Sequence, residues 1–308
     1  MSEYDVIVVG SGLAGLTAGM FAARYGLSTL VLESNIPGGH LISIEKIEDF
    51  PGFPDGVAGY DLCPNVQRQA ADQGAEFQRA EVQKLNPEGP FWSVNTDEEQ
   101  HRSKAVIVAT GSSLKELGVP GEAKFVGRGL SHCASCDGPL YNDKIVGVVG
   151  GGDSALQEAL TLANYAASVL VFTREETFDA QFSYIQRGLS RSKIVPRHRS
   201  AVEEILGEDV VSGVRVRDLE SNETSRVDLA GLFVYVGIKP NTALLKELVH
   251  LSDSGHVPTD GWLRTEREGL YAAGDIRQDS AAQAITCAGD GATAATGAYR
   301  YIRASFPK

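Results

Sequence analysis

The feature that most restricts this chain is a pattern it carries twice. Asp5-Val-Ile-Val-Val is a short β-branched run that enters Gly10-Ser11-Gly12-Leu13-Ala14-Gly15, and a helical stretch rich in small residues follows at 16–24. Lys144-Ile-Val-Gly-Val-Val enters Gly150-Gly151-Gly152-Asp153-Ser154-Ala155, again followed by a helical stretch, residues 156–165. Gly10 and Gly150, Gly12 and Gly152, Gly15 and Ala155 each stand 140 positions apart. Runs of this length and composition read as buried strands. In such a strand–turn–helix the first glycine makes the tight turn and the second lets backbone approach a pyrophosphate. The third, for which alanine is a permitted substitute, lets helix pack on strand. The helix N-terminus then offers its dipole and free N–H groups to the phosphates. A second strand follows each unit, at 28–33 and 168–172. The first ends in Glu33, 23 positions after Gly10 and suited to ribose hydroxyls, whereas the equivalent place in the second unit is Thr173. The fold class predicted is α/β: two Rossmann-like dinucleotide-binding domains, each binding one dinucleotide.

Between the two units lies Ser131-His132-Cys133-Ala134-Ser135-Cys136-Asp137-Gly138. Two cysteines separated by two residues can close a small disulfide ring, and the spacing holds a neighbouring thiolate at lowered pKa. Asp137 places a carboxyl group within reach of whichever sulfur must be protonated during exchange. The same spacing is half of a structural zinc site, but zinc needs two further ligands. Cys63 and Cys287 stand alone and His132 has no spaced partner, so a redox dithiol is the better-supported reading and no metal is expected.

The other segments fit around these. Pro37-Gly38-Gly39-His40 and residues 49–54 are turn signals that interrupt the doubly wound pattern. A plain surface loop would do this, and so would an excursion covering a cofactor, for which Gly39 and His40 are candidates. Residues 61–74 read as a helix in which Cys63 packs as a small hydrophobe, and residues 104–110 as a buried strand that ends at Thr110-Gly111. Gly274-Asp275 puts an acid at the carboxyl end of the last strand, where ligands of such sheets collect. Gln283-Ala284 opens a long Ala- and Gly-rich helix, whose small residues fit a cofactor or tight helix packing equally. Domain crossings are expected after 118 and after 244, giving one domain from 1–118 with 245–308 and a second from 119–244.

A net charge of −12 argues against nucleic acid, whose phosphates attract clustered Lys and Arg. No apolar run approaches the roughly 18 residues of a membrane span, and no signal peptide precedes the first strand. Four cysteines in 308 residues are no secreted disulfide framework, so the expected location is the reducing cytoplasm.

With these pieces assembled the sequence resembles the low-molecular-weight thioredoxin reductases over essentially its whole length. The matching pieces are Gly10 to Gly15, Glu33, Thr110-Gly111, Cys133 to Asp137, Gly150 to Ala155, and Gly274-Asp275 with Gln283. The resemblance implies three-layer ββα domains, the second inserted into the first. FAD would sit on the first βαβ unit, with Asp275 near its ribityl chain and Gln283 near the flavin. It implies electron flow from a nicotinamide through FAD to a Cys133–Cys136 disulfide, then to thioredoxin or a similar small dithiol protein, in a homodimer. Cys136 would face the flavin, Cys133 would attack the partner and Asp137 would handle the proton.

Three places depart from that family's pattern. Where the family carries His-Arg-Arg and a further Arg four positions on, this chain has Thr173-Arg174-Glu175 and Asp179. Two cations have become anions, which weighs against the 2′-phosphate of NADPH and leaves NADH at least equal to it. Ala282 stands where Arg is usual, and His132 where Tyr is common. Two other readings use the same residues: a dithiol oxidase that passes electrons to oxygen, or a disulfide reductase fed by a non-nicotinamide donor. A flavin-binding sensor without catalysis leaves the dithiol unexplained.

Overall fold

The structure, a computed structural model, describes residues 2–307. It divides into two units, Met1–Ser113 with Lys239–Lys308, and Leu114–Ile238. The second is therefore inserted in the chain of the first.

The first unit is built on a seven-stranded sheet. Its centre is strand β1 (Ser2–Val9), which pairs in parallel with β2 (Thr29–Glu33) on one side and with Gln100–Val108 on the other. Glu76–Arg79 extends the parallel order beyond β2, and Leu270–Ala272 pairs in parallel with the end of Gln100–Val108. Phe91–Thr96 and Val82–Glu88 add an antiparallel meander. Val6, Ile7 and Val8 are fully buried, as expected for a parallel strand covered on both faces, where an unbroken β-branched run is the signature. One covering layer is helix α1 (Leu13–Arg24) with the C-terminal helix Ala284–Ser305 against it.

These two helices approach closely because one of them lacks side chains at the contact. A Cβ on Gly291 would lie 2.1 Å from Ala14 O and 2.9 Å from Ala18 N, so the facing residues of α1 are Ala14 and Ala18. The small-residue content of both helices is thus a packing requirement at that crossing.

The second unit repeats the scheme. Strand β3 (Ile145–Val149) pairs in parallel with β4 (Ser168–Phe172) and with β5 (Gly231–Val234); Ile194–Arg197 and Leu130–Ser131 complete a five-stranded parallel sheet. Helix α2 (Asp153–Leu162) covers one face, with Ala155, Leu156, Ala159 and Leu162 buried. A three-stranded antiparallel sheet, Ser200–Gly207, Val211–Asp218 and Thr224–Asp228, packs Val202, Ile205, Val214 and Val216 into the core on the other face.

The crossings expected after 118 and 244 each move earlier, to 113/114 and 238/239. Leu117 and Val119 pack against the core of the second unit, and Lys115 N donates to Gly237 O within it at 2.9 Å. Leu245 is fully buried in the core of the first unit, with Leu244 beside it. Apolar side chains therefore decide where the units begin, and Pro120-Gly121 is a turn inside the second unit. The helices also start earlier than periodicity suggests, at Leu13 and Asp153, because part of each glycine motif forms the helix's first turn.

Gly289 provides a control for the helix crossing, since a Cβ there would meet nothing within 4 Å. Gly291→Ala should lower the thermal unfolding midpoint, with a cost of about 1–3 kcal/mol for overpacking. Gly289→Ala should be neutral or raise the midpoint, because Ala is the better helix former by about 1 kcal/mol. Calorimetry of the two variants checks the contrast.

Candidate active site

The first glycine loop is held by the acid that follows it. Glu33, at the end of β2, accepts from both Ser11 N and Ser11 Oγ at 2.8 Å. A Cβ on Gly15 would come 1.9 Å from Gly10 O, so only glycine lets α1 start this close to the strand. Gly12 faces open space and caps α1 without any side-chain bond to the helix's first-turn N–H groups. Leu13 and Ala14 are buried behind the loop.

The other predicted positions of the first unit gather around this loop. Gly38 N donates to Ser11 O at 2.8 Å, and a Cβ on Gly39 would lie 3.3 Å from Gly12 Cα. His40 Nε2 lies 2.6 Å from Ser112 O. Thr110 Oγ1 donates to Asn241 O at 2.7 Å, and Asn241 Nδ2 returns a bond to Thr110 O, fixing the turn that Gly111 completes at φ +64°. Gly274 packs on Ala14: a Cβ there would touch the Ala14 Cβ at 3.0 Å. Asp275 accepts from Ser112 Oγ at 3.0 Å and from the Cys287 thiol at 3.2 Å. Buried Asp290 accepts from Gly274 N at 3.0 Å and pairs with the Arg277 guanidinium, which pins the Gly274-Asp275 turn. Gln283 is the N-cap of the C-terminal helix in a capping box with Thr286, and Ala284 packs beside Leu13. Loop, acid, uncapped helix start and Asp275 thus converge. The donor set fits a dinucleotide: N–H groups for phosphates and carboxylates for hydroxyls.

In the second unit the glycine loop opens on a cleft of about 820 Å³, within the range of small-molecule sites. Gly150, Gly152, Asp153, Ser154, Ala155, Arg174 and Glu175 all line it. Gly150 is as constrained as Gly15, since a Cβ would lie 2.2 Å from Tyr235 O. Helix α2 also begins on a glycine, Gly152, with no side-chain cap. Asp153 holds the far rim by accepting from Gln181 N at 2.7 Å and Gln181 Nε2 at 2.9 Å.

The cysteines stand apart from that cleft lining and form a disulfide, Cα to Cα 5.3 Å. Cys133 is the N-cap of a one-turn helix, Ala134–Asp137, and its sulfur accepts from Cys136 N at 3.2 Å. Cys136 is exposed, Cys133 and Asp137 are half-buried, and Asp137 N donates to Cys133 O. Three bonds tie this turn to its unit. Ser131 Oγ accepts from Cys133 N at 3.1 Å. His132 Nδ1 donates to Val234 O at 3.0 Å, a bond that leaves Nε2 as the acceptor of the neutral ring. On α2, Glu158 Oε2 accepts from Ala134 N at 2.7 Å and from the Tyr235 hydroxyl at 3.1 Å. Burial, with the Glu158 carboxylate beside it, pushes the Tyr235 hydroxyl far above the usual range, so it stays a proton donor. Ser11, Ser112, Glu158 and Tyr235 carry no sequence signal of their own; each was found only through its partner. Among the described residues no cluster of three or more His, Cys, Asp or Glu is placed to hold a metal ion.

The pyridine nucleotide-disulphide oxidoreductase family model matches residues 4–291. Thioredoxin reductase of Treponema pallidum is 37% identical over 301 residues, covering 98% of both chains. That of Streptomyces clavuligerus is 40% identical, covering 97% of this chain and 94% of its relative. Among solved structures, thioredoxin reductase of Lactococcus lactis superposes with a TM-score of 0.95 at 34% identity, covering 97% of this chain and 99% of that one. The chain belongs to the thioredoxin reductases of the pyridine nucleotide-disulphide oxidoreductase family.

As a member of that family it carries its disulfide on Cys133 and Cys136, and its two other thiols are chemically quiet. Burial pushes the Cys63 thiol up to about 11. Burial and then the Asp275 carboxylate push Cys287 well above the ordinary thiol range. A raised pKa keeps both protonated at pH 8, and only thiolate attacks disulfides. The oxidised native protein should show no fast-reacting thiol with a disulfide reagent at pH 8, and two after reduction and desalting. A fast thiol in the oxidised protein would contradict these assignments.

Proposed function

We propose that the protein works as a thioredoxin reductase, taking electrons from a nicotinamide dinucleotide, NADH or NADPH, and delivering them through FAD to Cys133–Cys136 and on to a thioredoxin-like disulfide. The observation that carries the reading is the closed Cys133–Cys136 disulfide in the same unit as an open, uncapped glycine cleft. Gly10 to Gly15, Glu33, Gly39, His40, Thr110-Gly111, Gly274-Asp275 and Gln283-Ala284 would hold FAD, which would supply the two-electron relay between nicotinamide and sulfur. The nicotinamide dinucleotide takes the second cleft, on Gly150 to Ala155 with Arg174 and Glu175.

The exchange then runs on this chain's own sulfurs. Once the disulfide is reduced, the Cys136 N–H already aimed at the Cys133 sulfur stabilises a thiolate there. Cys133 attacks one sulfur of the partner disulfide, a Cys133–partner bond forms, and the other partner sulfur leaves and takes up a proton. Cys136, deprotonated, attacks Cys133, closes the ring and releases the second partner thiol. Asp137, next in the chain, is the group placed to carry the protons. Two electrons leave the dithiol and two protons end on the partner, so the step balances.

A reducing cytoplasm suits the reading, since partner disulfides there are transient and turned over by such exchange. No described helix is long and apolar enough to cross a membrane, and the charge of −12 leaves nucleic acid out of the proposal. A homodimer is part of it.

Cys133→Ser and Cys136→Ser should each abolish reduction of a thioredoxin disulfide while nicotinamide still bleaches the flavin. With Cys136→Ser, a covalent adduct of Cys133 to the partner should accumulate on a non-reducing gel, because nothing resolves it. Unchanged partner reduction in both variants would refute the roles. Bleaching by neither nucleotide in FAD-loaded protein would favour a non-nicotinamide donor, and dithiol-dependent oxygen uptake would favour the oxidase.

A further inference from the structure

The two glycine loops are not equivalent at the position that meets the adenosine ribose. In the first, Ser11 bonds Glu33 twice. In the second, the same place is filled by Gly151 and Thr173: a Cβ on Gly151 would lie 2.7 Å from Thr173 Oγ1. Thr173 is buried, and its hydroxyl accepts from Glu175 N at 3.3 Å. Thr173 therefore braces the loop, and the turn it caps carries an acid two residues further along, exposed on the cleft lining. Glu175 is 25 positions after Gly150, close to the spacing at which a carboxylate receives the ribose hydroxyls in nicotinamide sites.

Asp179 is brought to the same rim by the backbone: its N–H donates to Gly151 O at 2.9 Å, and Gln181 just beyond is fastened to Asp153. The cleft lining thus carries Glu116, Asp153, Glu175 and Asp179 against Lys115 and Arg174. Arg199, whose N–H donates to Glu175 O at 3.1 Å, has its guanidinium engaged by Glu176 at 2.6 Å and by Glu220 at 3.0 Å. A 2′-phosphate dianion is met by arginines whose paired N–H groups match its oxygens. Arg174 is the single arginine on this lining, and it stands next to Glu175.

We propose that Glu175 and Asp179 make the protein select NADH over NADPH, Glu175 by receiving the free ribose hydroxyls and both carboxylates by repelling a 2′-phosphate. The selection rests on the second cleft being the nicotinamide site, as proposed above, and it departs from the arginine pair of its family.

Binding without turnover isolates the effect. ADP-ribose and 2′-phospho-ADP-ribose differ only in that phosphate and carry no hydride, so calorimetric titration of each into FAD-loaded protein reads the site directly. ADP-ribose should bind at least tenfold more tightly at low salt, about 1.4 kcal/mol, with the gap narrowing as salt rises. Glu175→Gln with Asp179→Asn keeps the shapes and should shrink the gap, and Glu175→Arg with Asp179→Arg should close or reverse it. Equal or tighter binding of the phosphorylated ligand by the native protein overturns the selection while the nicotinamide reading stands. Binding of neither overturns both. An undiminished gap in a folded Gln/Asn variant shows that these carboxylates are not its source.

Discussion

Everything in this chain depends on two places where backbone meets backbone too closely for any side chain. At the first, Gly15 rests on Gly10 O; at the second, Gly150 rests on Tyr235 O. A Cβ at either would have to move a strand or a helix, since the atoms it meets are carbonyl oxygens and not flexible side-chain ends. The first fit brings α1 directly onto its strand end, the second sets the end of β3 against the end of β5, and neither helix that follows has a side-chain cap. The same constraint that shapes each loop therefore also leaves a helix start without a side-chain cap, the kind of position that suits an anion. The first glycine of each loop meets a neighbouring strand in the same way, Gly10 at Ala109 O and Gly150 at Tyr235 O, while the third place is Gly15 in one loop and Ala155 in the other.

The dithiol depends on a different kind of interaction, a buried polar chain. Glu158 on α2 receives both the Ala134 N–H and the Tyr235 hydroxyl, and Tyr235 also lines the cleft at the second glycine loop. Tyr235 follows β5, whose Val234 carbonyl receives His132. The turn bearing Cys133 and Cys136 is thus braced against the same strand and helix that shape the cleft. A carboxylate that accepts two donors in a half-buried setting makes charge-assisted bonds, stronger than neutral ones. Tyr235 can be counted as a donor at any working pH because its proton is held so firmly.

The strands were legible where β-branched runs are buried on both faces: β1, β2, β3 and β4 lie where the composition places them. So were the glycine loops, whose residues cannot be exchanged without changing backbone geometry. Helix Phe182–Ser190 was not legible, since only Tyr184 and Gly188 of it are buried while Phe182 and Leu189 face out. The first crossing was set too late by weighting Pro120-Gly121 above Leu117 and Val119, and the second by passing over Leu244. The polar braces were invisible for a simpler reason: Ser112 and Asp275 are 163 residues apart, and Tyr235 and Glu158 are 77 apart. A hydroxyl and a carboxylate at such separations leave no periodic trace in a sequence.

The account as a whole turns on whether a nicotinamide can open the Cys133–Cys136 disulfide. FAD-loaded protein can be mixed with NADH in the absence of oxygen, quenched in acid, alkylated with iodoacetamide and weighed after digestion. The account predicts two new alkylated thiols, on Cys133 and Cys136, that appear only with the nucleotide and only when FAD is bound. A disulfide that stays closed in protein whose flavin has been bleached by NADH would contradict it.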